Sequence, residues 1–177
     1  MYNKSEFVLK VSEFIESDKR VALIKGYENE IKLLGVLKVL NNSTLQNGTI
    51  HTRLMNNLND LLLKANIIKR TVKQHEKFKL SNLTLQADLY ERNRHSNNDF
   101  AIYYPVQSAL INAPDKLISH IKDNHSKKIF IVTTNDWHSD TSILDDVIDE
   151  TIILDIRTFD QEQYDILYQN LKGNMPY

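Results

Sequence analysis

A three-layer α/β/α domain built on a mostly parallel sheet is the architecture predicted by three observations. The wholly apolar runs Val21-Ala-Leu-Ile24 and Ile129-Phe-Ile-Val132 are of strand length and read as strands buried on both faces. Segments with helical apolar spacing stand between such strands, the order that produces crossover connections and parallel pairing. At 177 residues, 41% hydrophobic and 25% charged, the chain has the size and composition of one core. The expected organisation is therefore a single α/β domain over 1–177, with an N-terminal helix (1–18) packed on it and a short tail (172–177).

The elements follow in order. Asn3 can cap a helix whose third position is Glu6 and whose face carries Phe7, Val8, Val11, Phe14 and Ile15. Lys19-Arg20 leads into the first strand, which ends at Lys25-Gly26. A second helix from about Glu28 to Leu40 carries Ile31, Leu33, Leu34, Val36, Leu37, Val39 and Leu40, so it is apolar nearly all round and belongs deep in the structure. Gly35 inside it costs up to about 1 kcal/mol relative to alanine unless a neighbour needs the close approach. After the turn cluster Asn41–Gly48, Thr49–Met55 alternates as a strand with Ile50 and Leu54 inward, and 57–68 reads as helix. Phe78–Leu80 and Leu83–Ala87 look extended, and Arg92–Asn98 is a polar loop. Phe100–Val106 is a strand ended by Pro105, Pro114 opens a helix to about Asn124, and Lys128–Thr134 is a buried strand. Thr151–Ile156 is a further strand, and Asp160–Leu171 a last helix.

Composition excludes several function classes. Zero cysteines removes disulfides, thiolate zinc sites and cysteine nucleophiles. No apolar run approaches the roughly 20 residues that span a bilayer, and Met1–Glu6 lacks the basic-then-apolar order of a secretory signal, so a cytoplasmic location and no membrane partner are expected. With 22 basic and 23 acidic residues the net charge is −1, which gives no global attraction to nucleic acid. Any such attraction must be local.

A buried strand ending in glycine and followed at once by a helix is the setting of a phosphate-binding loop, G-x-x-x-x-G-K-[S/T]. The aligned residues here are Gly26-Tyr-Glu-Asn-Glu-Ile-Lys32-Leu33, a degenerate Walker A motif. The first glycine and the lysine are present; Ile31 replaces the second glycine, and Leu33 replaces the hydroxyl that would hold Mg²⁺. Glu28 and Glu30 put carboxylates where a triphosphate would lie, and two unit charges 4 Å apart repel by about 4 kcal/mol at an effective dielectric near 20. The alternative reading is that Gly26 only makes the turn and Lys32 only solvates the helix.

On these residues the chain resembles the P-loop NTPases of the broad AAA or RecA-like type, over roughly residues 20 to 156. Phe100-Ala-Ile-Tyr-Tyr-Pro-Val106 is similar to a Walker B strand without the acid that should follow it. Ile129-Phe-Ile-Val-Thr-Thr-Asn-Asp136 is similar to the strand that ends in a polar sensor residue, with Asn135 at the matching place. Val147–Asp155 is similar to the later strand of that sheet. The resemblance implies the fold, a ligand or partner surface at Gly26, Lys32, Asn135 and Asp136, and binding without hydrolysis. No resident cofactor is expected. Asn135 and Asp136 equally suit a strand end that begins a turn.

Charges are sorted along the chain. Residues 64–94 hold Lys64, Lys69, Arg70, Lys73, Lys77, Lys79, Arg92 and Arg94 against Glu76, Asp88 and Glu91, while 136–165 hold ten acids against Arg157. The basic stretch can contact a nucleic-acid backbone through Lys69, Arg70, Lys73, Lys77, Lys79, Arg92 and Arg94, with counterion release making binding salt-sensitive. Its aromatics are only Phe78 and Tyr90, too few for strong base stacking. Alternatively the oppositely charged sectors meet each other, within one molecule or between copies. Asp88, Glu91 and Asp99 near the basic stretch suggest a third possibility, a metal-dependent nuclease, which needs two or three acids around one ion. The six histidines show no paired-ligand spacing and read as surface residues. No serine stands in a nucleophile elbow, and Trp137 reads as a core plug or a partner anchor. The expectation is a non-hydrolysing binding or accessory subunit of a nucleic-acid-processing or nucleotide-dependent assembly, partnered by another protein subunit, by itself, or by nucleic acid through residues 64–94.

Overall fold

The computed structural model describes residues 1–90, 98–134 and 140–174. Helix α1 (Lys4–Glu16) is opened by a capping box: Glu6 N donates to the Asn3 side chain at 2.9 Å, and Asn3 N donates to Glu6 at 3.0 Å. Its other end is held by Lys128, whose buried Nζ donates to the carbonyls of Phe14 (3.0 Å), Ser17 (2.6 Å) and Lys19 (2.5 Å). These carbonyls lie at and just beyond a helix C-terminus, so a cation there meets both orphan acceptors and the negative end of the helix dipole.

The chain continues through β1 (Val21–Gly26), α2 (Asn29–Asn41), β2 (Asn47–Thr52), α3 (Met55–Lys64), β3 (Lys77–Leu80), β4 (Leu83–Leu89) and β5 (Phe100–Tyr103). Then follow α4 (Gln107–Asn112), α5 (Pro114–Lys122), β6 (Lys128–Val132), a 3₁₀ turn (Ser142–Val147), β7 (Glu150–Leu154), a second 3₁₀ turn (Ile156–Thr158) and α6 (Gln161–Asn170). The strands form one sheet of order β3-β4-β2-β5-β6-β1-β7, in which only the β3–β4 pair is antiparallel. The three-layer α/β/α architecture is as expected from the sequence.

Alternation along the central strands explains their continuous apolar spelling. Ala22 and Ile24 of β1, Phe100 and Ile102 of β5, and Phe130 and Val132 of β6 face one core together with α1, α2 and α3. Their neighbours Val21, Leu23, Ala101, Tyr103, Ile129 and Ile131 face a second core under α4, α5 and Leu144. Both layers bury apolar side chains, so these strands have no polar face to show. Gly35 is where α2 meets α1: a Cβ there would come within 2.8 Å of the Phe7 ring, which accounts for a helix-interior glycine.

Two local expectations are corrected. Leu54 is not an inward strand residue; β2 ends at Thr52, and Leu54 lies 54% exposed at the start of α3. The segment 57–68 is helical only to Lys64, because Asn66 turns into the left-handed region (φ 54°). Trp137 lies outside the described residues. No described helix is long and apolar enough to cross a membrane.

Candidate functional site

The turn after β1 lies in the crevice between β1 and β6 at the carboxyl edge of the sheet, the place where α/β sheets with crossover helices commonly take ligands. Gly26 has φ +128°, and a Cβ there would stand 2.5 Å from the Leu154 carbonyl oxygen. The glycine is thus required by the close pairing of β1 with β7, where Gly26 faces Leu154 in register. Lys32 does not solvate α2: it is fully buried, and its Nζ donates to the carbonyls of Gly26 and Thr134 and, at 3.1 Å, to Thr133 Oγ1. Thr133 Oγ1 in turn donates to the Ile24 carbonyl at 3.0 Å. Helical periodicity brings Lys32 onto the inner side of α2 beside Leu33 and Val36, and its ammonium reaches back to the ends of β1 and β6. Chemically the amine ties two strand ends to the helix between them, using carbonyl acceptors where a phosphate-binding lysine would present its charge to an anion.

The surroundings do not favour an anion. Burial and then neighbouring Glu30 push the Glu28 carboxyl above its usual range, with Asp160 adding to the same effect. Glu30 is partly neutralised by Lys64, 2.5 Å away. Asn135 and Asp136, the other residues assigned to this surface, lie outside the described residues.

The basic stretch maps to the other end of the sheet. In β3, Phe78 and Leu80 pack on the main core while Lys77 and Lys79 are exposed on the opposite side. They stand there in register with half-exposed Gln86 and Thr84 of β4. Lys69, Arg70 and Lys73 are exposed in the segment leading into β3. Arg70 is partly spent on Glu76, whose carboxyl it holds below the usual range. Arg92 and Arg94 lie outside the described residues. Of the acidic stretch, Asp145 and Asp146 are exposed in the first 3₁₀ turn, which packs beside α5, and Glu162 and Asp165 are exposed on α6, which follows β7 in the chain. The edge strands β3 and β7 are six strand spacings apart, roughly 29 Å. Among the described residues no ion pair joins the two sectors.

The carboxylates proposed for a nuclease are not brought together. Asp88 faces His51 in register near the carboxyl end of β2, while Asp99 accepts hydrogen bonds from Gln46 N and Asn47 N at its amino end. Four residues of strand separate these levels, about 13 Å. Each acid has its own partners: Asp88 is buried and accepts from Gln74 Nε2 (3.1 Å), with His75 Nδ1 at 3.3 Å. Burial opposes ionisation of Asp99, but Lys127 at 2.8 Å and the two amides outweigh it and hold the carboxyl below its usual range. Glu91 lies outside the described residues. Among the described residues no group of three metal-ligating side chains is assembled.

Sequence reasoning missed one constellation. His51 (2% exposed) and His120 (4% exposed) are core residues, not surface ones, and stand edge to face with ring centroids 4.9 Å apart. Tyr103 stacks on His51 at 4.8 Å, its hydroxyl lies 2.7 Å from His120 Nδ1, and Asn124 Nδ2 donates to that hydroxyl at 3.0 Å. Burial, reinforced by His120, lowers the His51 pKa to about 3, so its ring is neutral at physiological pH. The signal in the sequence was alternation: His51 follows inward-facing Ile50 and so must face the second layer, and His120 stands three residues after Leu117 on α5.

No protein-family model matches the chain, and no curated protein matches it. Among solved structures it is similar to the C-terminal domain of a possible DNA helicase from Lactobacillus plantarum WCFS1. That likeness has a TM-score of 0.55 and 10% identity, covering 86% of this chain and 98% of that one. At this identity the likeness concerns the fold, and the fold it concerns is the α/β/α sheet described above.

Proposed function

We propose that this chain is a nucleic-acid-associated binding or accessory subunit that works without nucleotide hydrolysis, contacting the nucleic-acid backbone along its β3 edge. The observation that carries this reading is the gathering of positive charge at one edge of the sheet: Lys69, Lys73, Lys77 and Lys79 are exposed in β3 and the segment leading into it, while Asp145, Asp146, Glu162 and Asp165 are exposed in other segments. A polyanion then has one face to approach. The helicase domain that shares the fold supports the same direction. The resemblance to P-loop NTPases enters as ancestry: β6, with its sensor-like sequence, lies directly beside β1. The engagement of Lys32 with Gly26 and Thr134 favours a scaffold that has given up triphosphate chemistry.

The test is fluorescence anisotropy with a labelled duplex and a labelled single strand at 50 and 200 mM salt. Binding should weaken steeply with salt, and a Lys69→Glu, Lys77→Glu, Lys79→Glu variant should lose most of its affinity at both salts. Binding that ignores these changes discards the reading.

A second reading rests on the same sorting of charge along the chain. Because the two sectors form no ion pair with each other among the described residues, the basic stretch of one copy can meet the acidic stretch of another in a heterologous contact. Sedimentation that depends on protein concentration at low salt and collapses to one species at high salt would favour it.

A further inference from the structure

We propose that the carboxyl edge of the sheet between β2 and β5 holds a separate site for a small organic anion of phosphate or carboxylate type, bound through Arg53 and Lys116. A cavity of about 650 Å³ opens there. Arg53, just past the end of β2, and Tyr90, just past β4, form one wall; Ser108 and Asn112 of α4 and Lys116 and His120 of α5 form the other. The crevice between β1 and β6 is two strand spacings away, about 10 Å, so this is a different place from the Gly26 turn.

Three features define what the cavity accepts. Its charges have one sign: among the described residues, Arg53 and Lys116 line it and no carboxylate does. Neither cation makes an ion pair or a hydrogen bond with a described residue, so their field is directed at the cavity and solvent. Behind the Tyr90 wall the packing is aromatic. Tyr90, whose hydroxyl donates to the Pro105 carbonyl, stacks on Tyr103 at 6.2 Å, which stacks in turn on neutral His51. Burial pushes both tyrosine hydroxyls above their usual range, so no phenolate competes with an incoming anion. Finally, apolar Ala109 and Leu117 alternate with the polar groups of the lining, giving an organic portion somewhere to lie while its anionic group meets the cations. A volume of this size suits a small molecule with a ring.

The probes are phenyl phosphate, benzoate and neutral phenol, titrated into the ¹⁵N-labelled full chain at low salt. Phenyl phosphate and benzoate should shift the amide signals of Ala109, Ser119 and His120, and phenol should not. Tighter binding of phenyl phosphate would mark a phosphate site, and equal binding a site for either anion. Arg53→Gln and Lys116→Gln change exposed side chains and should leave the fold intact, which circular dichroism checks. Each should weaken binding about tenfold, as expected for a charge-assisted contact, and Arg53→Lys should retain most of it. Absence of shifts with both anions, equal shifts with phenol, or affinity indifferent to Arg53→Gln and Lys116→Gln would overturn the proposal. The β3-edge lysines are untouched in these variants, so duplex binding can fail or survive independently.

Discussion

Replacing Lys32 by methionine separates the two roles open to this lysine. In the structure its ammonium donates to two carbonyls and a threonine hydroxyl that belong to the ends of β1 and β6. Hydrogen bonds from a charged donor contribute about 1.5–3 kcal/mol each when broken singly. The three share one donor group, and methionine relieves the desolvation of a buried ammonium, so the net loss is smaller than their sum, about 3 kcal/mol. For a chain of this length about 3 kcal/mol corresponds to roughly 6–12 °C in Tm. Urea and thermal unfolding followed by circular dichroism measure it, with Lys19→Met as the comparison. Lys19 is exposed and pairs with Glu150 at 3.2 Å, so its loss should change stability by no more than about 0.5 kcal/mol. A Lys32→Met protein that melts with the parent would refute the clamp, because a lysine kept for a ligand leaves the unliganded fold unchanged when removed.

Two further outcomes follow from the same geometry. Gly26→Ala places a Cβ against the Leu154 carbonyl in a backbone region that favours glycine, and should destabilise by about 2 kcal/mol or more; a urea midpoint within error of the parent would contradict the close β1–β7 approach. The depressed His51 pKa makes stability depend on acid: below pH 6.5 the unfolded chain takes up a proton that the folded ring, at about 3, refuses. Stability should therefore be intact above pH 6.5 and fall by up to about 1.4 kcal/mol per pH unit from there toward pH 3. His51→Phe keeps the ring stack and removes this term, so between pH 7 and pH 5 the parent should lose about 2 kcal/mol more than the variant. Parallel losses would place His51 in contact with solvent.

Much of the architecture is legible in local chemistry. The Asn3–Glu6 capping box, the apolar spelling of β1 and β6, and the proline opening α5 each state their structure because the interactions involved lie within a few residues or reflect burial on both faces. The short helix α4 is not legible: its six residues are too few to show a period, and Ile111 within it is exposed. Leu54 misleads for a related reason, since one apolar residue past a strand end carries no phase information.

The candidate sites divide along the same line. The Gly26–Lys32 spacing can be read from the residues, but whether that lysine faces an anion or two carbonyls depends on which strand stands beside β1, a pairing no local pattern encodes. Asp88 and Asp99 are eleven positions apart and look like neighbours until parallel pairing sends them to opposite ends of β2. The same pairing gathers Arg53, Tyr90 and the α5 residues Lys116 and His120 from three separate stretches around one cavity. Burial pattern, capping and charge bias are written into the order of residues because they are short-range properties. Which side chains share a space is decided only when the strands take their places in the sheet, since that choice is made by packing over the whole chain.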